Sequence, residues 1–284
     1  DNILSTAIYV RNVSSPYTNV NILNNSITNN GLMFGMGSYQ ENTDYSAMGI
    51  SSFNGLNVKY NYIDNIGDAG IKFGGSGVRV KFNWISRVCK KTADRANVYT
   101  FEEFADTSEV FTDREVDSNF CSNSIANIEL TPSTALRANG VYPDGAASNI
   151  KIRGNVIWNV SNAGITMNIV SGITVSGNLI VPGDSSVYKN TSVINCQQLL
   201  NNKIRELNVS NNIGFTSVST QPQFNYTCGS CSQATLPNNF SSIGTINGNY
   251  YNNPAASQYG TLAGTPYFPA NYTHTQWTNN FGFG

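Results

Sequence analysis

The sequence predicts an all-β chain, a right-handed parallel β-helix (a solenoid of about eight coils) with a charged insertion at about 87–117. Three observations predict it: a recurring apolar–x–apolar–x–x–Asn segment, short alternating strands without a sustained helical period, and an excess of asparagine. The repeat reads Val20-Asn21-Ile22-Leu23-Asn24-Asn25, Leu56-Asn57-Val58-Lys59-Tyr60-Asn61 and Val78-Arg79-Val80-Lys81-Phe82-Asn83. It returns as Ile150-Lys151-Ile152-Arg153-Gly154-Asn155, Ile173-Thr174-Val175-Ser176-Gly177-Asn178 and Leu207-Asn208-Val209-Ser210-Asn211-Asn212, with weaker copies ending at Asn123 and Asn249. The shortest spacings between marker asparagines are 22 and 23 residues, and longer intervals hold inserts.

A second strand follows about ten residues after some markers, as in Gly70-Ile71-Lys72-Phe73 and Gly164-Ile165-Thr166-Met167; Val98-Tyr99-Thr100-Phe101 and Gly140-Val141-Tyr142-Pro143 read alike. Two or three short strands per coil and no helix between them describe stacked parallel coils. A β-sandwich would instead show hairpin turns every roughly 8–12 residues. Coils stacked about 4.8 Å apart align like residues in ladders. Inward Val, Ile and Leu then build one core, while the marker asparagines bond backbone groups of their neighbours. Asparagine tolerates left-handed backbone, so its excess, roughly twice or more the ordinary usage, signals many turns.

Composition excludes several classes. A net charge of −1 with 12% charged residues leaves no electrostatic footprint for nucleic acid or an anionic membrane. No apolar run is long enough to span a bilayer. Phosphate loops, dinucleotide fingerprints and Ser-His-Asp arrangements are absent, and the single histidine, His274, sits in the C-terminal tail. No cofactor or metal site is read: no acidic cluster forms a calcium cage, and four zinc ligands do not assemble. Of the five cysteines, Cys228 and Cys231 lie in a Gly/Ser turn and read as a local disulfide. Cys89 and Cys121 flank the charged stretch and could close it. These features point to a secreted or cell-surface location, and the opening Ala7-Ile8-Tyr9-Val10 reads as mid-coil, so the single domain is expected to be a fragment of a longer secreted protein.

The pattern resembles the right-handed parallel β-helix repeats of the pectate-lyase-like superfamily of carbohydrate-active and surface proteins. Gly140-Val141-Tyr142-Pro143-Asp144-Gly145-Ala146-Ala147-Ser148-Asn149 is similar to its GIYLDD-x-ASN segment, and Asp94-Arg95-Ala96-Asn97-Val98-Tyr99-Thr100-Phe101 to its DGGAIYTW segment. The resemblance implies a polysaccharide as partner and Asp94 as a carried-over functional residue. Two departures stand out. Arg95 and Ala96 replace two glycines, and Gly145 replaces the second aspartate of the DD pair.

Thirteen of the 33 charged residues fall between Arg87 and Asp117, which reads as an insertion on the binding face or as a solvated flap. With Ile71, Val98, Val141 and Ile165 inward, strand parity turns Lys72, Tyr99, Phe101, Tyr142, Asp144, Thr166 and Asn168 outward. Tyr99, Phe101 and Tyr142 would form an exposed aromatic strip suited to sugar faces, with Lys72, Asn168 and Arg137 as further substrate contacts. Hydrolysis of a glycosidic bond commonly uses two carboxyl groups about 5–9.5 Å apart. Asp144 and Glu103, on neighbouring coils, are expected roughly 8 Å apart and form the preferred pair. Glu102 would point the other way. Asp94 aligns with Arg137, where a salt bridge is an equal reading, and lies seven residues from the register of Asp144, more than about 20 Å along fully extended chain, a distance that coil corners would shorten. A lyase would need a basic residue such as Lys72, but no calcium cage accompanies it. The sequence thus favours a polysaccharide-cleaving glycosidase, with a non-catalytic adhesin or stalk module as the alternative.

Overall fold

Short strands recur in threes along the chain. The computed structural model describes residues 6–11, 19–32, 48–51, 55–102, 111–126, 137–183, 191–198, 204–218, 221–228, 243–252, 260–263 and 271–272. Among them one turn of chain runs Ile71–Phe73, Arg79–Lys81 and Trp84–Ser86; the next runs Arg95–Glu102, Arg114–Asp117 and Phe120–Ser122. The first strand of each triplet joins a ten-stranded sheet, and the second and third join two eight-stranded sheets. Among the described strands every pairing is parallel except the last, where Gly260–Ala263 meets Asn271–Tyr272 antiparallel. Parallel pairing between strands one turn apart is the arrangement of a solenoid-like parallel β-helix.

Register turns the repeat into a core. In the second sheet Ile22, Val58, Val80, Val116, Ile152 and Val175 stand opposite one another in sequence. All are buried and belong to one apolar cluster that continues to Ile246. The outward partners between them, such as Lys59, Lys81, Asp117 and Arg153, are partly exposed.

Three columns of left-handed residues make the corners. Between the second and third sheets the column holds Asn24, Tyr60, Phe82, Ser118, Gly154, Gly177, Asn211 and Gly248, each with φ between 55 and 64°. The next residue is the marker asparagine. From Asn25 through Asn61, Asn83, Asn119, Asn155, Asn178 and Asn212 to Asn249, each backbone N–H donates to the next side-chain oxygen at 2.9 to 3.1 Å. From Asn61 onward each side-chain amide also reaches back to the preceding coil, as Asn83 does to the Val58 carbonyl at 2.9 Å. This satisfies the corner's buried polar groups within the protein.

Three expectations need correction. The marker of its coil is Asn119, not Asn123, which belongs to the corner after the third sheet and accepts from Asn159. The copy is disguised because Arg114 stands where other coils carry an apolar residue, opposite Ile150. The stretch 87–117 is not an insertion throughout, since it contains the strands Arg95–Glu102 and Arg114–Asp117; residues 103–110 lie outside the described ones. Cys89 and Cys121 are free thiols, both buried in the core together with Cys196. The local disulfide of Cys228 and Cys231 falls outside what is described, save that Cys228 ends the strand Phe224–Cys228.

The charges of this stretch are explained by stacking. Glu115 and Asp117 lie opposite Arg79 and Lys81 on one side and Lys151 and Arg153 on the other. Glu115 pairs with Lys81, with Arg79 at 3.5 Å and with Arg153 at 3.2 Å, and Asp117 pairs with Arg153 at 3.0 Å. The third sheet differs: one outward column runs through Tyr62, Trp84, Phe120, Val156, Leu179, Ile213 and Tyr250 and carries no charge.

Candidate functional site

The ten-stranded sheet places the candidate residues. Strand parity holds: Tyr99 and Tyr142 stand opposite each other on the face away from the main core, with Lys72 opposite Tyr99 on the other side. They are not an exposed strip, however. Tyr99 and Tyr142 are only 4% and 2% exposed and pack with Ala69 and Ala96 in a second small cluster. The rings meet edge to face at 5.4 Å, and the Arg95 guanidinium lies 5.0 Å over the Tyr99 ring. Outward from the sheet therefore does not mean outward to water. Phe101 alone of the three is open to solvent.

Asp144 sits at the centre of this cluster and is 7% exposed. The Tyr99 hydroxyl donates to its Oδ2 at 2.9 Å, and the Asn168 amide and its neighbour's backbone N–H at Gly145 both donate to Oδ1 at 2.7 Å. Burial pushes its carboxyl above the ordinary value, the Asn168 and Tyr99 bonds work downward, and the charge of Asp94 adds to the rise. Burial likewise raises both tyrosines, with Asp144 acting in the same direction.

Asp94, half-buried and left-handed at φ 60°, precedes the strand Arg95–Glu102, and its charge works to raise Asp144, Tyr99 and Tyr142. The N–H of Arg95 donates to the Arg137 carbonyl at 3.2 Å, and Asp94 and Arg137 are the residues immediately before two adjacent strands. Glu103 lies outside the described residues. Glu102 turns to the opposite side, as parity requires, and pairs with Arg114. Burial raises Glu102 against the pull of that guanidinium, which also bonds the Ser148 carbonyl.

Gly145 could not carry the second aspartate of the related segment. Its φ is 68°, and a Cβ there would come within 2.1 Å of the Glu102 carbonyl and 3.1 Å of the Phe101 ring. Close approach of the two strands is what the glycine permits. It also brings Phe101, opposite Asp144 in register, beside the carboxyl.

Two members escaped the sequence reading. Arg95 pairs with buried Asp68 at 3.3 Å while covering Tyr99, and its only signal was the replacement of a glycine. Asp68 in turn accepts from the Thr92 hydroxyl at 2.8 Å, an arrangement that no spacing announces. Among the described residues no group of three or more His, Cys, Asp and Glu side chains is placed to hold a metal ion, and no helix is long and apolar enough to cross a membrane. Comparison of the chain with family models, with curated proteins and with solved structures gave no match.

Proposed function

We propose that this chain is a right-handed parallel β-helix of about eight coils from a secreted or cell-surface protein, and that it cleaves glycosidic bonds in a polysaccharide. The observation that carries the reading is Asp144, a buried carboxyl held above its ordinary range by burial, with the charge of Asp94 adding to the rise. Two carboxyl groups with different environments suit an acid and its partner in glycoside cleavage. Asp144 would donate the proton to the leaving oxygen, and Asp94 would act as base or nucleophile, with Glu103 next in line. Phe101, exposed, stands opposite Asp144 in register, the Asn168 amide donates to Asp144, and Lys72 stands opposite Tyr99 in the coil before.

A second reading is favoured by one specific observation. Three internal donors already occupy Asp144, which also suits a purely structural carboxyl in a non-catalytic glycan-binding module. A panel of neutral and acidic polysaccharides, assayed for new reducing ends and unsaturated products, separates the two. Cleavage that falls by about a hundredfold or more in both Asp144→Asn and Asp94→Asn supports the enzyme. Variants that lose stability while no polysaccharide is cleaved by the parent chain leave the module.

A further inference from the structure

We propose that the outward face of the third sheet is a separate binding track for one extended strand of an uncharged polysaccharide. Tyr62, Trp84, Phe120, Val156, Leu179, Ile213 and Tyr250 occupy a single column, one per coil, and Trp84 and Tyr250 are 51% and 59% exposed. Trp158, also exposed, lies two residues along the strand from Val156 of that column. At about 4.8 Å per coil, six steps give a strip roughly 30 Å long. Contiguous apolar surface of this kind marks an interaction site, whereas isolated exposed rings do not.

The neighbouring corner extends it. Tyr60 and Phe82 are exposed and stack with ring centroids 5.3 Å apart at an interplanar angle of 7°. They occupy left-handed positions, with φ of 59 and 56°, where the following coils use Ser118, Gly154, Gly177 and Asn211. A bulky ring is a strained choice there, so its presence needs a use beyond turning the chain.

Shape and charge choose the occupant. On the sheet the strip is a single column of side chains, one per coil, so what lies along it is long and narrow. A single extended polymer strand fits such a track. Among the described residues the charged group in these outward rows is Asp64, which is neutralised by Arg87 at 2.8 Å. Nothing in the strip would recognise a uronate or a phosphate, whereas Trp and Tyr present apolar rings with a polar handle to sugar faces and hydroxyls.

The track is independent of cleavage at Asp144, and its test uses the Asp144→Asn chain so that retention is not confused with turnover. Retention is measured on cellulose, chitin and mannan, with soluble polygalacturonate as a charged competitor. The expected result is retention on at least one neutral polysaccharide, weakened about tenfold or more in Trp84→Ala/Trp158→Ala and kept in Trp84→Tyr/Trp158→Tyr. Oligosaccharides of the retained polymer should also shield the tryptophans of the unsubstituted surface from iodide quenching, a readout that needs no Ala variant to fold. The proposal is overturned if no neutral polysaccharide retains the chain, if the Ala variant is retained as well as its parent, or if polygalacturonate competes equally. Sedimentation showing a dimer that the Ala variant splits would likewise overturn it, by assigning the strip to a second copy.

Discussion

At the scale of single residues, the same chemistry has different worth in different places. Asn155 accepts from Asn119 and donates to the Val116 carbonyl at 2.9 Å, wholly buried. Asn57 donates to Asn21 at 3.0 Å in an exposed pair. Asn155→Ala leaves buried donors and acceptors without partners and is expected to cost about 3 kcal/mol, while Asn57→Ala is expected to cost about 0.5 kcal/mol. Urea midpoints of the two variants check this, and equal losses would refute the ladder's role. Asp144 allows a sharper electrostatic prediction. Removing the like charge in Asp94→Asn should lower its titration midpoint, and removing the donor in Tyr99→Phe should raise it, because the hydroxyl bond favours the ionised form. Carboxyl NMR titration of Asp144 reads both shifts, and their opposite signs exclude a general loosening of the site.

At the scale of elements, each strand is fixed less by its own propensity than by the corners on either side. Gly177 and Gly164 show two separate reasons for glycine. Gly177 has φ 64° and nothing within 4 Å of a built Cβ, so Gly177→Ala should cost only the backbone term, about 1 kcal/mol. Gly177→Asn should recover most of that loss, since asparagine tolerates this conformation. At Gly164 a Cβ would come within 2.1 Å of Ile180, so alanine there must displace core atoms, and asparagine would be worse. Thermal melts of the four variants separate the cases by the sign of the Ala-to-Asn difference. Much of this level was legible in the sequence, because a period of two on the strands and Asn at the corner follow directly from stacking. Asn119 was not, because Arg114 breaks the apolar pattern while still filling the inward position through its pair with Glu102. The site was legible in part. Parity placed Tyr99, Tyr142 and Asp144 on one face, but parity reports direction and not cover, so the burial of both tyrosines and the arrival of Arg95 were invisible to it.

At the scale of the whole molecule, a solenoid is stabilised by nearest-neighbour stacking, so bonds that tie several coils together matter more than isolated surface pairs. Glu115 is such a bond, because Arg79 and Lys81 come from the coil before it and Arg153 from the coil after. Its burial alone would raise its carboxyl, yet Lys81, Arg79 and Arg153 hold it below the ordinary value. Asp117 is also lowered against its burial, by Ser118 and Arg153, and Asp64 by Arg87. For these groups the folded state holds protons less tightly than the unfolded chain. Their contribution is fully present above the ordinary carboxylate range and is lost as pH falls through it toward their lowered folded values. Asp144 and Glu102 act in the opposite sense, being raised by burial, so they favour the fold at low pH and oppose it as pH rises through their raised values. The lowered carboxylates tie the coils together, so urea stability is expected to fall between pH 5 and pH 3, and Glu115→Gln should flatten that slope as well as lower stability at neutral pH. Because Arg153 is substantially exposed, about 1 M salt should remove part of the same difference. A Glu115→Gln chain whose stability still falls as steeply with acid would show that the charge ladder does not hold the coils together, and would return that role to the asparagine column alone.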